Sequence, residues 1–262
     1  MLLSLPTVVG EKRWRQTVVY DHGGVLNGQA CRRKVRIKLN SALFTRSAGT
    51  FAAGIDGLCA EGKYLRGELF LRAAQRFMPV GGEVLDYGCG PGRISLLLAR
   101  VGLRVHGMDP AAGMIEQANA QDLTGLDVRF SLIPETGTAL PTGGFDAVVC
   151  SSVIEYVPVA AELLTAFHRA LRPQGVLILS YANRRSLWRL YANWRNPHAP
   201  HLEYQKNVWS FAEARRELDN AGFAIVAGPH FFDSPFDHRP GCGWLARSSL
   251  GGTLGLVVAR RG

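Results

Sequence analysis

From about residue 83 the chain alternates apolar runs of strand length with stretches of helical period. The runs predict strands at 83–87, 104–109, 127–132, 145–150, 175–181, 223–228 and 253–259, with helices over 92–101, 111–121, 159–171 and 210–221 between them. Strands that read as near-continuous apolar runs, separated by helices, are those of a parallel sheet covered on both faces, so the fold class is α/β. The last helix starts at Ser210 with Glu213 three residues on, the spacing of a capping box, and Asn220-Ala-Gly222 supplies its stop. Two stretches break the rhythm, 182–206 and 229–251. Both follow strand ends, where open α/β sheets place ligand specificity. Upstream, 57–78 has the period of an amphipathic helix and Arg33 to Leu39 alternates like a strand. The resulting division is an extension over 1–60 and one α/β domain over 61–262, with 182–206 and 229–251 as substrate-loop insertions.

Composition adds constraints. At 262 residues and 47% hydrophobic, the chain can bury a full core. No apolar run approaches the roughly 20 residues that cross a bilayer, and the start MLLSLPTVVGEKRW lacks the basic leader and long apolar stretch of a secretory signal, so a cytoplasmic protein is expected. The five cysteines are scattered without a CxxC pair, which argues for free thiols and against a structural zinc. Residues 1–50 hold nine Lys/Arg against Glu11 and Asp21, so most of the +9 net charge sits there. The cluster Arg32, Arg33, Lys34, Arg36, Lys38 is either a solvated face or a contact for an anionic substrate, a membrane surface or RNA. Aromatic residues are not interleaved with it, which weighs against nucleic acid.

The segment Val84 to Gly92, VLDYGCGPG, carries the chemistry. Asp86 closes a strand, and Gly88, Gly90 and Gly92 occupy alternate positions before a helix. Glycines so spaced let the chain turn tightly and let a ligand approach the backbone, beside the free N–H groups of a helix start. A dinucleotide loop, GxGxxG, would put its third glycine at position 93, where this chain has Arg93. Asp109 ends the next strand, where a carboxylate can accept hydrogen bonds from both hydroxyls of a ribose.

With these features the chain resembles the class I S-adenosylmethionine-dependent methyltransferases, closely over about 80–182 and more loosely over 205–260. The resemblance implies a Rossmann-like, doubly wound sheet of seven strands, mostly parallel with an antiparallel last strand. It also implies S-adenosylmethionine as cofactor and S-adenosylhomocysteine as product. In this family the loop matched by Asp86, Gly88, Cys89, Gly90 and Gly92 lines the methionyl and ribose parts, and the residue matched by Asp109 holds the ribose. Met108 and Pro110 then flank the adenine, with Met114, Glu135, Ser151 and Tyr64 completing the cofactor set. The segments FDAVVCSSVIEYVP and FHRALRPQGVLILSYANRRS look like the family's fourth strand, the helix after it and the fifth strand. Where some small-molecule relatives place a His before the last major helix, this chain aligns Gln205.

Transfer from a sulfonium is an in-line displacement from an already activated donor, so alignment and exclusion of water are the protein's main contributions. A base is needed when a hydroxyl acceptor must lose its proton. Candidates are Glu155, Tyr181, His198 and His201, with Trp194 and Tyr204 as pocket aromatics; His168 reads as structural. A small aromatic, quinone-like or natural-product acceptor is expected. Alternatives are RNA or a peptide held by the basic arm, or a quinone precursor reached by peripheral membrane contact; a homodimer is left open. RNA is disfavoured because Ser151-Ser152-Val153-Ile154 replaces the Asn-Pro-Pro-Tyr type of segment found in nucleic-acid amino methyltransferases.

Overall fold

The computed structural model describes residues 41–61, 64–134, 140–196, 204–234 and 242–262. The expected strand at Arg33 to Leu39, the basic cluster 32–38, Glu135, His198 and His201 lie outside these residues.

Two helices come first, α1 (Ser41–Ala60) and α2 (Leu65–Phe77). The single helix expected over 57–78 is thus two, and its first turn belongs to α1. The strands are β1 (Glu83–Tyr87), β2 (Arg104–Asp109), β3 (Val128–Leu132), β4 (Phe145–Cys150), β5 (Leu171–Asn183), β6 (Val208–Trp209), β7 (Phe223–Phe232) and β8 (Leu254–Arg261). Helices α3 (Arg93–Arg100), α4 (Ala112–Asn119), α5 (Ala160–Ala170), α6 (Leu187–Arg195), α7 (Phe211–Asn220) and the short α8 (Gly243–Ala246) connect them. The sheet runs β3-β2-β1-β4-β5-β8-β7, with β6 paired to the end of β5 through Ala182↔Val208 and Asn183↔Trp209. Strands β1 to β5 pair in parallel, while β8 runs antiparallel to both β5 and β7. The seven strands read from the sequence are therefore present, and two-residue β6 is an eighth. Its apolar run is too short to register as a strand.

The apolar runs divide by period two between two cores. Leu85, Val148, Leu177 and Leu179 face α5 and α7 and meet Leu163, Phe167 and Leu218. Their neighbours Val84, Val149, Val176 and Ile178 face α2 and α3 and meet Phe70, Ala74, Ile94 and Leu98. Successive side chains of a strand point to opposite faces, so a strand buried on both sides must be apolar throughout. Strand β5 starts at Leu171, earlier than expected. The pairing with β4 shifts between Phe145↔Leu171 and Ala147↔Val176, and Gln174 takes a φ of 64° in that irregularity.

The capping box of α7 forms as the spacing predicts. The Ser210 hydroxyl accepts from the Glu213 N–H at 3.3 Å, and the Ser210 N–H donates to the Glu213 carboxylate at 2.8 Å. Gly222, at φ 85°, then ends the helix. His168 packs edge-on against Phe223 beside this turn. The strand order reverses between β1 and β4, so the carboxyl ends of these strands open a crevice, the place where open α/β sheets bind ligands. No helix among the described residues is long and apolar enough to cross a membrane.

Candidate active site

The crevice holds a cavity of about 120 Å³. Its floor is the loop after β1. Gly88, Gly90 and Gly92 have φ values of 73°, 54° and 81°, the left-handed region that costs other residues strain. At Gly88 a Cβ would also stand 2.2 Å from Val153 Cγ2, and at Gly92 it would stand 2.7 Å from the Phe130 ring. The loop is tied to β2: the Gly88 and Cys89 N–H groups both donate to the Met108 carbonyl, at 2.7 and 3.1 Å.

Two carboxylates are fixed by this arrangement. Buried Asp86 accepts the Ser95 hydroxyl at 2.6 Å. Burial pushes its pKa up to about 7, with the charge of Asp109 adding to the rise and the Ser95 bond opposing it. Asp109 accepts the Gly90 N–H at 2.9 Å on one oxygen and the Ala111 N–H at 2.8 Å on the other. Burial raises its pKa also, held back by those two amides. A carboxylate has about four acceptor positions, so Asp109 keeps one open on each oxygen.

Of the residues read from the sequence, the structure brings Tyr64, Asp86, Gly88, Cys89, Gly90, Asp109, Pro110, Met114 and Ser151 to the cavity wall. Met108 supports the loop through its carbonyl while its side chain joins the core, and Gly92 lies behind the loop against Phe130. Tyr181 is not brought to the cavity. Strand alternation turns it into the core beside Trp209, 6.3 Å between ring centres, and under Gly255, where a Cβ would meet its ring. Its role as a catalytic candidate is withdrawn on that placement.

Glu155 is buried in a short 3-10 turn, Ile154–Tyr156, just after β4. Its carbonyl accepts the Lys206 and Asn207 N–H groups at 2.6 and 3.2 Å, and its Oε2 has no hydrogen-bond partner. Burial lifts its pKa to about 7 against its own backbone N–H, the charges of Arg66 and Arg189 and the neighbouring Ser152 hydroxyl. Arg66 lines the cavity and pairs with Asp233 at 2.6 Å. The Ser151 hydroxyl, on the cavity wall, is buried without a partner.

Sequence reading missed the roof. Phe44, Phe51 and Ile55 of α1 line the cavity, with Ala48 between them packed on Ala111 and Met114. Asp56 forms an ion pair with Arg93 at the start of α3, and Phe44 stands edge-on to Tyr156 at 5.8 Å. Gly113 lets the Thr45 backbone approach, because a Cβ there would sit 2.6 Å from the Thr45 carbonyl. The signal was present: positions 44, 48, 51 and 55 follow the helical 3-4 spacing. Pro91, Arg93, Ile94, Ser152, Val153 and Tyr156 complete the wall. Among the described residues no group of three or more His, Cys, Asp or Glu is placed to hold a metal ion.

A glycine loop after the first strand, a carboxylate ending the second, a switch point between them and an antiparallel final strand together define a class I S-adenosylmethionine-dependent methyltransferase. The family described as "Methyltransferase domain" matches residues 60–227, and the chain belongs to it. It is similar to a ubiquinone biosynthesis O-methyltransferase of Xanthomonas axonopodis pv. citri, 37% identical over 111 residues, which are 42% of this chain and 46% of that protein. The matched segment thus spans about half the length of such relatives. The fold is similar to a chain in the complex of the Haloferax volcanii Trm112 methyltransferase activator with a methyltransferase, at 21% identity and a TM-score of 0.60 over 86% of this chain and 98% of that one. It is also similar to magnesium protoporphyrin IX methyltransferase from Synechocystis PCC 6803 with bound SAH, at 20% identity and a TM-score of 0.52 over 90% of each chain.

Proposed function

We propose that the protein transfers the methyl group of S-adenosylmethionine to a hydroxyl of a small, ring-containing acceptor. The observation that carries the reading is the Gly90–Asp109–Ala111 arrangement, a buried carboxylate fixed by two amides with one acceptor position per oxygen facing the cavity. The relatives named for ubiquinone O-methylation favour a phenolic oxygen over RNA or a peptide. The cofactor supplies an activated methyl on a sulfonium. Asp109 orients a ribose, Asp86 receives an ammonium when ionised, and Pro110, Met114 and Tyr64 give apolar contact. Ser151, with its free hydroxyl, faces the junction of the donor and acceptor sides. Phe44, Phe51 and Ile55 close the roof and exclude water, which leaves the methyl no competing acceptor.

Glu155 is the group we assign to holding the acceptor's proton: it ionises near neutrality and, although its own side chain is buried behind the cavity surface, it adjoins Ser152 and Tyr156, which line it. Its buried oxygen without a partner is the supporting feature. His198, His201 and Glu135 lie outside the described residues; acceptor-side chemistry for the histidines and an adenine contact for Glu135 are part of this proposal on the sequence resemblance alone. Titration calorimetry with S-adenosylhomocysteine, followed by turnover of labelled cofactor on a catechol acceptor, tests the reading. Saturable one-to-one binding and label in the catechol ether support it; absence of binding overturns it, and binding with transfer to RNA alone replaces the acceptor class.

A further inference from the structure

Glu155, the group assigned to the acceptor's proton, does not itself line the cavity: it is 2% exposed, and the wall in front of it is Ser152 and Tyr156. The proton therefore needs an intermediate carrier. The Tyr156 hydroxyl is engaged with Gln205. The Ser152 hydroxyl is buried without a partner, as is Glu155 Oε2, and it lies near enough to favour the ionised form of that carboxyl. Ser152 also holds a conformation that favours glycine, with φ 54°. Its N–H donates to the buried Ser180 hydroxyl of β5 at 2.9 Å, which fixes the turn. The backbone around Glu155 is pinned as well: Asn207 Nδ2 donates to the Ile154 and Val157 carbonyls at 2.8 Å each. Val153 occupies the space that Gly88 leaves by lacking a Cβ, so the turn abuts the cofactor loop. A side chain kept in a strained conformation with an unsatisfied hydroxyl points to a use for that hydroxyl.

We propose that Ser152 relays the acceptor's proton to Glu155, a step that rests on the proposed function of the site. The serine side chain turns about its Cα–Cβ bond so that Oγ accepts from the acceptor hydroxyl and donates to Glu155 Oε2. The acceptor oxygen forms its bond to the methyl carbon as the carbon–sulfur bond breaks, and the electron pair of the broken bond stays on sulfur. The acceptor's proton moves to Ser152 Oγ while the serine's own proton moves to Glu155 Oε2. The serine ends as it began, the carboxylate ends as the acid and the sulfonium ends as a neutral thioether, so atoms and charge balance. A hydroxyl can carry the proton because it is donor and acceptor at once. The groups facing Glu155 suit this use. Arg66 of α2 and Arg189 of α6 favour its ionised form, while burial keeps Cys150 of β4 and the adjacent Tyr156 neutral. Ser151 also brings an unpaired hydroxyl to the wall and is the internal comparison.

The experiment compares wild type with Ser152→Ala, Ser152→Gly and Ser151→Ala on two acceptors, catechol and a nitrocatechol that is already ionised at mildly alkaline pH. Calorimetric affinity for S-adenosylhomocysteine reports an intact donor end in each. With catechol, both Ser152 variants should lose about tenfold in kcat, with the acceptor KM changed by less than about threefold. With the nitrocatechol their kcat should stay within about twofold of wild type, because the attacking oxygen has no proton left to move. Ser152→Gly separates the relay from the turn. It relieves the φ of 54°, so its unfolding midpoint should equal or exceed that of wild type while its catechol turnover falls. Infrared titration of the unliganded protein, with Glu155→Gln to identify the band, is a readout independent of turnover. In Ser152→Ala the Glu155 carboxyl should titrate about half a pH unit higher than in wild type, since a hydroxyl that favours the ionised form is gone. Equal losses on both acceptors would overturn the relay in favour of a packing role. Loss on catechol alone in Ser151→Ala, without it in the Ser152 variants, would overturn it by moving the route to Ser151. Full catechol turnover in both Ser152 variants would overturn it outright. A wild type that binds S-adenosylhomocysteine yet is inert toward both acceptors would overturn the proposed acceptor class and the relay with it.

Discussion

The donor end of the crevice, at β1 and β2, and the acceptor end, at β4 and α1, are built by different means. At the donor end both carboxylates are fixed by groups close in the chain: Ser95 is nine residues from Asp86, and Ala111 is two from Asp109. At the acceptor end the Ser151 hydroxyl and Glu155 Oε2 are buried without partners, and the wall comes from segments far apart, Phe44, Arg66 and Tyr156. A buried polar atom left unpaired costs about 1–3 kcal/mol, so such atoms persist where a ligand can satisfy them. The donor end is thus preorganised on the backbone, and the acceptor end is completed by what it binds.

The contrast can be broken at its strongest point by Gly88→Ala. The new methyl meets Val153 at a backbone angle that already costs an alanine about 1–2 kcal/mol, so cofactor affinity should fall at least a hundredfold and the unfolding midpoint in urea should drop. If calorimetry shows unchanged affinity, the donor end is not rigid. Asp109→Ala comes next. It removes the ribose acceptor and frees two amides, and a loss of roughly 3 kcal/mol, about a hundredfold in affinity, is expected. Turnover at saturating cofactor should recover, because the lost contact serves binding.

Titration sharpens the comparison from the other side. Asp86 and Glu155 both have folded pKa values near 7, above their ordinary carboxylate values. For each, the folded state favours the protonated form, so its contribution to stability is fully present below pH 4 and is lost as the pH rises through about 7. Ligand-linked effects run oppositely. Cofactor affinity should rise about tenfold between pH 6 and 8 as Asp86 ionises, and Asp86→Asn should flatten that rise while lowering affinity overall. Glu155→Gln should instead leave affinity alone, reduce kcat about tenfold and remove the limb near pH 7 from its profile. An unaltered kcat profile would strip Glu155 of its proton role. The smallest effect belongs to the roof. Asp56→Ala breaks the half-exposed pair with Arg93, worth about 0.5–1 kcal/mol, and should raise the cofactor KM two- to fivefold without changing the unfolding midpoint by more than a degree or two.

The same division separates what could be read along the chain from what could not. The strand runs, the α7 capping box, the glycine loop and Asp109 are all local: each is a spacing of a few residues whose physics, alternation, caps or turns, works without knowledge of the rest. From them the sheet, the fold class and the donor side follow. The break between α1 and α2 and the extra strand β6 were not legible, because a short apolar pair such as Val208-Trp209 becomes a strand only when the end of β5 offers its edge. Tyr181 was misplaced for a related reason. A tyrosine near a strand's end reads as a site residue until the register shows that its side of β5 faces Trp209 and the core.

The sequence by itself determined the α/β class, the seven main strands with the helices at 92–101, 111–121, 159–171 and 210–221, and the chemistry of the cofactor loop, since backbone strain and hydrogen-bond spacing act over a turn or two. Only the tertiary structure decided that Phe44, Phe51 and Ile55 roof the cavity and that Glu155 is buried with a free oxygen. Each of these depends on which face of an element meets which neighbour across a large sequence separation, and a helical period specifies that a face exists without specifying where it looks.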